Sequence, residues 1–172
     1  MKWVLSVFLT FSFVFLAVFG LSCFYGTLFP IKYQEEISAA CAKYDVEEAV
    51  IFALINTESH FNKDAISCKG AVGLMQVLPT TATSLAGQEV DLSVPATNID
   101  IGTKYFSHLL SRFENVETAL CAYNAGPTNV QKWLLDSELS DDGVTLKKIP
   151  FAETKGYIER FRKNYKYYKS KV

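Results

Sequence analysis

Between Trp3 and Ile31 the sequence has no charged side chain. A stretch that long without Asp, Glu, Lys or Arg is excluded from the solvated face of a soluble domain. It is dense instead in Phe, Leu and Val. About 20 apolar residues in a helix cross the hydrocarbon core, and a helix satisfies its own backbone amides inside lipid. Trp3 to roughly Leu28 is therefore expected to form one transmembrane anchor. The first alternative is a cleaved signal peptide, whose apolar core is usually about 7–15 residues before a small-x-small site. This run is longer and has no Ala-x-Ala near its end. The second is lipid modification of Cys23, with Ser22 a suitable small neighbour but Gly20 standing where a larger aliphatic is usual. Lys2 on one side, and Lys32 with Glu35 and Glu36 on the other, give a thin positive-inside signal for a cytoplasmic amino terminus.

Other absences narrow the rest. There are no internal repeats, no low-complexity segment and no alternating apolar pattern that pairs as strands. Of four cysteines, Cys41, Cys68 and Cys121 lie past the apolar run, an odd number without metal-ligand spacing. Export would allow two of them to join, in a pairing the sequence does not assign; the favoured reading is small buried hydrophobes. Neither charge sign dominates, with 17 Lys and Arg against 18 Asp and Glu, and no nucleic-acid partner is expected. One local excess stands out: Lys155 to Lys171 holds seven Lys or Arg and one Glu. Such a run is ordinarily a solvated helix face; the functional alternative is attraction to an anionic envelope polymer or lipid surface.

The expected organisation is an anchor over residues 1–30 and one domain over residues 31–172, large enough for a core of its own. Its pattern is helical throughout. Tyr33, Ile37, Cys41 and Tyr44 step along one face. Asp45 with Glu48 forms a capping-box pattern, opening a helix through Val50, Ile51, Leu54 and Ile55 to Glu58. Residues 60–72 read as loop, and Pro79 starts a short helix to about Ala86. After an irregular stretch, Asn98 is expected to lead a helix to Phe113. Others follow over Val116–Ala125, stopped by Gly126-Pro127, and Thr128–Leu135. Residues 136–149 read as surface loop, and a last helix from near Phe151 carries Tyr157, Phe161, Tyr165 and Tyr168.

Glu58 breaks the pattern of its helix. It falls at the next step of the inward stripe formed by Ile51, Leu54 and Ile55, so its carboxyl faces the interior or a cleft. Burial disfavours the charged form and raises the pKa, and a carboxyl kept protonated near neutrality is what general-acid cleavage of a glycosidic bond needs. By itself a Glu at a helix end is usually a surface residue. Three further clusters join small residues to polar ones: Gly73-Leu74-Met75-Gln76, Ala122-Tyr123-Asn124-Ala125-Gly126, and Pro150-Phe151-Ala152-Glu153-Thr154-Lys155-Gly156-Tyr157. Glycine permits close backbone approach, while Gln76, Asn124 and Tyr157 offer directional hydrogen bonds suited to hydroxyl and acetamido groups.

Together with Glu58-Ser59, and with Asn98-Ile99, Gly102 and Tyr105 between the second and third, these clusters resemble, in order, the motifs of the soluble-lytic-transglycosylase catalytic domain. That family is lysozyme-like and related to goose-type lysozyme. The likeness covers about Tyr33 to Tyr168. It implies an all-α, lysozyme-like transglycosylase domain acting on peptidoglycan glycan strands, with no metal and no cofactor. It implies that Glu58 is the single catalytic acid and base, and that Ser67 and Gln76 hold the muramic acid at the cleavage point. Met75 would be an apolar floor beside the sugar, Tyr123 and Asn124 glycan contacts, and Tyr157 a tyrosine near the catalytic carboxyl. Glu153 is grouped with the substrate-binding set. Ser59 and Thr154 read as supports, His60 as part of the cleft rim, and Cys121 as a packing change.

Two rivals remain open. A hydrolytic lysozyme on the same fold would need Asp64, Asp91, Asp100 or Glu153 to position a water. A non-catalytic, membrane-anchored glycan-binding protein would not need Glu58 at all. The resemblance together with the anchor places the domain on the outer face of a bacterial cell membrane, toward the wall.

Overall fold

The computed structural model describes residues 19, 20 and 26–172. Among these, the fold is all-α: α1 (Gln34–Tyr44), α2 (Glu48–Ser59), α3 (Pro79–Ala86), α4 (Pro95–Phe113), α5 (Val116–Ala125), α6 (Pro127–Leu134) and α7 (Ala152–Tyr168). The extended geometry is confined to two isolated bridges, Ile66 with Val72 and Val72 with Val77. No helix among the described residues is long and apolar enough to cross a membrane. The expected anchor, Trp3 to Leu28, and Cys23 fall largely or wholly outside the described residues.

α2 is the centre of the domain. All eight residues from Ala49 to Asn56 are buried, so this helix is apolar on every side, the pattern of a core helix and not of a surface one. α7 lies antiparallel along it. At one end Glu47 accepts from Tyr165 Oη at 3.0 Å and pairs with Lys169. At the other Tyr157 reaches Glu58, the next-to-last residue of α2. Between them Asn164 Nδ2 donates to Thr57 Oγ1 at 2.9 Å. Phe52, Phe61 and Tyr168 close the core with ring centroids 5.3–6.3 Å apart. Burying each such ring contributes about 1.5–3 kcal/mol. α1 is tied to α4 by Tyr44 and Lys43 on Asp100 and by Ser107 on the Tyr44 carbonyl. The chain ahead of α1 is also docked. Phe29 stacks on Tyr167 at 4.1 Å, and Tyr168 Oη donates to the Pro30 carbonyl.

Helix starts differ from expectation in two places. The capping box is not formed: Asp45 is the left-handed C-cap of α1 at φ 53°, and Glu47 takes the N-cap of α2 without a side-chain bond. Glu47 is instead committed to α7. α4 begins at Pro95, not at Asn98. Proline suits the first helical turn because its missing N–H is unneeded there, and this frees Asn98 for another task. Cys41 and Cys121 are buried free thiols pushed up to about 12 chiefly by burial, whereas Cys68 is exposed.

That task is holding the loop between α2 and α3. The buried Asn98 side chain accepts from Met75 N at 2.8 Å and donates to the carbonyls of Val72 at 2.8 Å and Leu92 at 3.0 Å. The approach is so close that a Cβ on Gly73, itself at φ 77°, would lie 2.3 Å from Asn98 Nδ2. Gly102 does the same for Met75, whose sulfur would be 2.5 Å from a Cβ there. Asn98→Ala strands one amide and two carbonyls, each costing about 1–3 kcal/mol when buried without a partner. The expected loss is at least ~3 kcal/mol in urea unfolding; a loss under ~1 kcal/mol would refute this role.

Candidate active site

The last turn of α2 carries Glu58 out of the core. Glu58 is half-buried, and protein surrounds most of its carboxyl. Tyr157 Oη donates to Glu58 Oε1 at 2.7 Å. Burial pushes the Glu58 carboxyl up to about 7, against the opposing pulls of the Tyr157 hydrogen bond and the Arg160 charge. Tyr157 is 2% exposed and is itself held well above the ordinary phenol range, by burial first and by Glu58 next. It stays a proton donor to the carboxylate at any working pH. Sealed in this way, Tyr157 holds Glu58 and offers no face to a ligand, which corrects the expectation that it hydrogen-bonds the hydroxyl and acetamido groups of a bound substrate.

Tyr123 approaches from α5. Its hydroxyl donates to the Met75 carbonyl at 2.7 Å, and its ring packs against Tyr105 at 5.2 Å and Phe106 at 6.4 Å. Burial, then the Glu58 charge, holds it well above its ordinary value. Asn124, next on α5, accepts from Thr154 Oγ1 of α7 at 2.8 Å. Its amide nitrogen remains for other use. The third and fourth sequence clusters are thereby fastened together. Glu153 is exposed in the first turn of α7.

The loop from His60 to Leu78 supplies the remaining wall. Ser59 Oγ donates to the Leu74 carbonyl at 2.8 Å, pinning the loop to α2. Ser67 is half-buried, its hydroxyl accepting from Ala71 N at 3.0 Å. Gln76 has a left-handed backbone at φ 49°, a conformation uncommon for a non-glycine residue. Its amide nitrogen secures this shape by donating to the carbonyls of Gly73 at 2.9 Å and Ala65 at 3.1 Å. Met75 is a correction. It is 0% exposed, wedged against Gly102 and reached by Thr103 Oγ1 at its sulfur, so it underlies the site and cannot present a floor to a sugar. Leu78, 40% exposed two residues beyond Gln76, does show an apolar side chain to solvent, as does Ile66 earlier in the loop. His60 ends α2 in the left-handed region, and its Nε2 bonds to the Thr27 carbonyl at 2.9 Å. That turns the ring toward the preceding chain and away from any role at the carboxyl.

Between α3 and α4 a hollow of about 330 Å³ is lined by Thr80, Thr81, Ser84, Leu85, Tyr105 and His108. It meets the site through the Tyr105–Tyr123 ring contact. Among the described residues no cluster of His, Cys, Asp or Glu could hold a metal ion. Sequence reading missed three features. Asn98 was read as a helix start and as part of a family-like pattern, without its role in holding the loop. Leu78 was not singled out. Arg160 was absorbed in the basic run, although its place three residues after Tyr157 puts the two on neighbouring parts of one helix face.

Comparison with known proteins agrees with this geometry. The Transglycosylase SLT domain family matches residues 35–142. The soluble lytic murein transglycosylase of Escherichia coli strain K12 is 35% identical over 144 residues, covering 76% of this chain and 22% of that protein. The membrane-bound lytic murein transglycosylase E of Buchnera aphidicola subsp. Baizongia pistaciae is 34% identical over 136 residues, covering 72% of this chain and 64% of that one. Among solved structures, an inactive mutant of lytic transglycosylase Slt from Pseudomonas aeruginosa superposes with a TM-score of 0.73 at 33% identity, covering 83% of this chain and 25% of its own. The chain thus spans about a fifth of the length of the soluble relative from E. coli. An all-helical domain in which hydrogen bonds tie Glu58 to Tyr157, Ser59 to Leu74, Tyr123 to Met75 and Thr154 to Asn124, and which matches over most of its length, belongs to the Transglycosylase SLT domain family.

Proposed function

We propose that this protein is a peptidoglycan lytic transglycosylase that cleaves the β-1,4 bond between N-acetylmuramic acid and N-acetylglucosamine, leaving 1,6-anhydromuramyl ends. The observation that carries the reading is Glu58: partly open to solvent, held by Tyr157, and raised to about 7. Near neutrality a large fraction of it is protonated and able to donate.

Ordinary glycosidases place two carboxyl groups on either side of the scissile bond. Three of the possible second groups here are engaged elsewhere. Asp64 bonds Lys63, Asp91 caps Ser93, and Asp100 joins Lys43 and Tyr44. Glu153 alone lies on a helix that borders the site, and there it is exposed. A one-carboxylate route fits this arrangement. Glu58 gives its proton to the glycosidic oxygen as the bond to the anomeric carbon breaks. The muramyl acetamido oxygen relieves the positive charge left on that carbon. Glu58, now a carboxylate supported by the Tyr157 hydroxyl, takes the proton of the sugar's own C6 hydroxyl, which closes on the anomeric carbon. No water is consumed, and the acid is regenerated. The nucleophile arrives on the substrate, so holding the sugar in place supplies much of the rate.

Ser67, Gln76, Tyr123 and Asn124 are read as the groups that hold it, with the Gln76 carbonyl oxygen and the Asn124 amide nitrogen as the polar atoms not spent on the loop bonds described above. Leu78 takes the apolar role expected of Met75. The hydroxyl-lined hollow beside Tyr105 suits a further part of a glycan strand. Residues 1–30 are read as a single-pass anchor, with the domain outside and facing the wall; the charge-free run from Trp3 to Ile31 supports this, and a relative named membrane-bound is compatible with it.

Digestion of peptidoglycan with mass analysis should give anhydromuramyl ends from the wild type and at least a ~100-fold lower rate from Glu58→Gln. Reducing muramyl ends would instead establish the hydrolytic rival, and unchanged activity in Glu58→Gln would remove the carboxyl from the mechanism. The acid must be protonated, so activity falls as pH rises through about 7. Tyr157→Phe deletes a bond that favours the carboxylate. Its alkaline limb is expected to move to higher pH while kcat drops about tenfold; a limb that stays put or moves down contradicts the assignment. Full-length chain should sediment with membranes and resist carbonate extraction, whereas a version starting at residue 26 should not. Recovery of the full-length chain in the soluble fraction would exclude the anchor.

A further inference from the structure

Most of the basic side chains on α7 are solvated or paired. Arg162 forms two 2.6 Å bonds with Glu117, and Lys169 pairs with Glu47. The Arg160 side chain is exposed and, among the described residues, makes no hydrogen bond or ion pair, as is also true of Lys155, Lys163 and Lys166; it differs from them in where it lies. Its Nη1 lies 3.6 Å from the point a Cβ would occupy on Gly156, so the side chain folds back toward the amino-terminal end of α7. Helical side chains lean that way in general, and here the lean brings a guanidinium to the end of the helix that carries Tyr157 and Thr154. Glycine inside a helix costs about 1 kcal/mol against alanine. A side chain larger than alanine at Gly156 would occupy the guanidinium's place.

Arg160 is also near enough to the reacting centre for its charge to act on both Glu58 and Tyr157. The groups acting on Glu58 are Tyr157 and Arg160 from α7, and Tyr123 of α5 faces it from the other side. An unpaired cation there works against a general acid, because it favours the carboxylate. Its cost is relieved if a substrate anion covers it. The substrate proposed above carries such anions: each muramyl residue bears a lactyl arm ending either in a bare carboxylate or in a short peptide with carboxylates of its own. Guanidinium recognises a carboxylate with two parallel N–H bonds.

We propose that Arg160 is a specificity-determining residue that binds a carboxylate on the muramyl arm, the lactyl carboxylate itself or one on the attached peptide. The inference rests on the transglycosylase reading. Occupation of Arg160 then does two things. It fixes the muramyl residue over Glu58, and it neutralises the one positive charge that opposes protonation of the acid. Correct substrate thus prepares the acid that cleaves it.

The test compares wild type, Arg160→Gln and Arg160→Lys on four substrates. These are peptide-bearing strands and amidase-stripped strands, each untreated or with carboxylates converted to amides. Amidation should lower wild-type kcat/KM at least fivefold, mostly through KM. It should change Arg160→Gln by less than twofold, with Arg160→Lys between. Sensitivity confined to the peptide-bearing pair identifies a peptide carboxylate; sensitivity confined to the stripped pair identifies the lactyl carboxylate, which peptide-bearing strands already hold as an amide; sensitivity in both shows that Arg160 accepts either. In Arg160→Gln the alkaline limb of kcat/KM should also move up, since the cation that favours ionised Glu58 is gone. Equal sensitivity to amidation in wild type and Arg160→Gln, with normal anhydromuramyl products, overturns the inference alone. Absence of anhydromuramyl product from the wild type on every substrate overturns both it and the underlying activity.

Discussion

At the site, the hydrogen bond from the Tyr157 hydroxyl to the Glu58 carboxyl joins the two helices on which everything else is arranged. It is possible only because α7 lies antiparallel along α2, and that packing is fixed far from the site by Glu47, Tyr165, Asn164 and the Phe52–Tyr168 contact. The consequences pull in opposite directions. Burial by the same helices pushes the Glu58 proton affinity up, while the phenol steadies the ionised form. The proposed reaction has Glu58 give a proton and then take one back, which needs both, and their balance near 7 leaves neither form costly.

The loop opposite obeys a different constraint. It has no strand pairing to stiffen it, only two isolated bridges, and a flexible wall would hold a sugar poorly. Rigidity comes from one buried amide. Asn98 satisfies three backbone groups of neighbouring turns, and Gly73 and Gly102 are the points where a Cβ would prevent that approach. Gln76 is kept in a strained left-handed geometry by its own amide bonds to Ala65 and Gly73. Strain held by surrounding bonds is common where a side chain must be aimed and not merely accommodated. The buried Met75 makes sense in the same light. It is the packing beneath the aimed residue, and its carbonyl anchors Tyr123.

Helix positions, the loop at residues 60–72 and the inward turn of Glu58 could be read along the chain, because each depends on periodicity or on local turn chemistry. So could the four clusters, since small residues beside polar ones mark close approach in any fold. The misreadings have a common cause. Asp45 with Glu48 is a sound capping pattern, yet Asp45 closes the preceding helix and Glu47 is drawn to Tyr165 and Lys169 more than a hundred residues away. Asn98 is a good helix starter by type, but Pro95 starts the helix and the amide is spent on the Met75 loop. Met75 and Leu78 are equally apolar in sequence; only packing decides that the first is sealed and the second is open.

By itself the amino-acid sequence determined that the chain past its charge-free amino-terminal run is a helical domain with one acid, Glu58, on the inward stripe of a largely apolar helix. Hydrophobic spacing is a local property and survives without knowledge of the fold. Tertiary structure decided the rest. The proton affinity of Glu58 depends on how much water the neighbouring helices exclude. Its partner Tyr157 is ninety-nine residues distant in the chain, and whether Arg160 meets the acid or open solvent depends on where its helix is laid. These are distances between elements, and no spacing along one element encodes them.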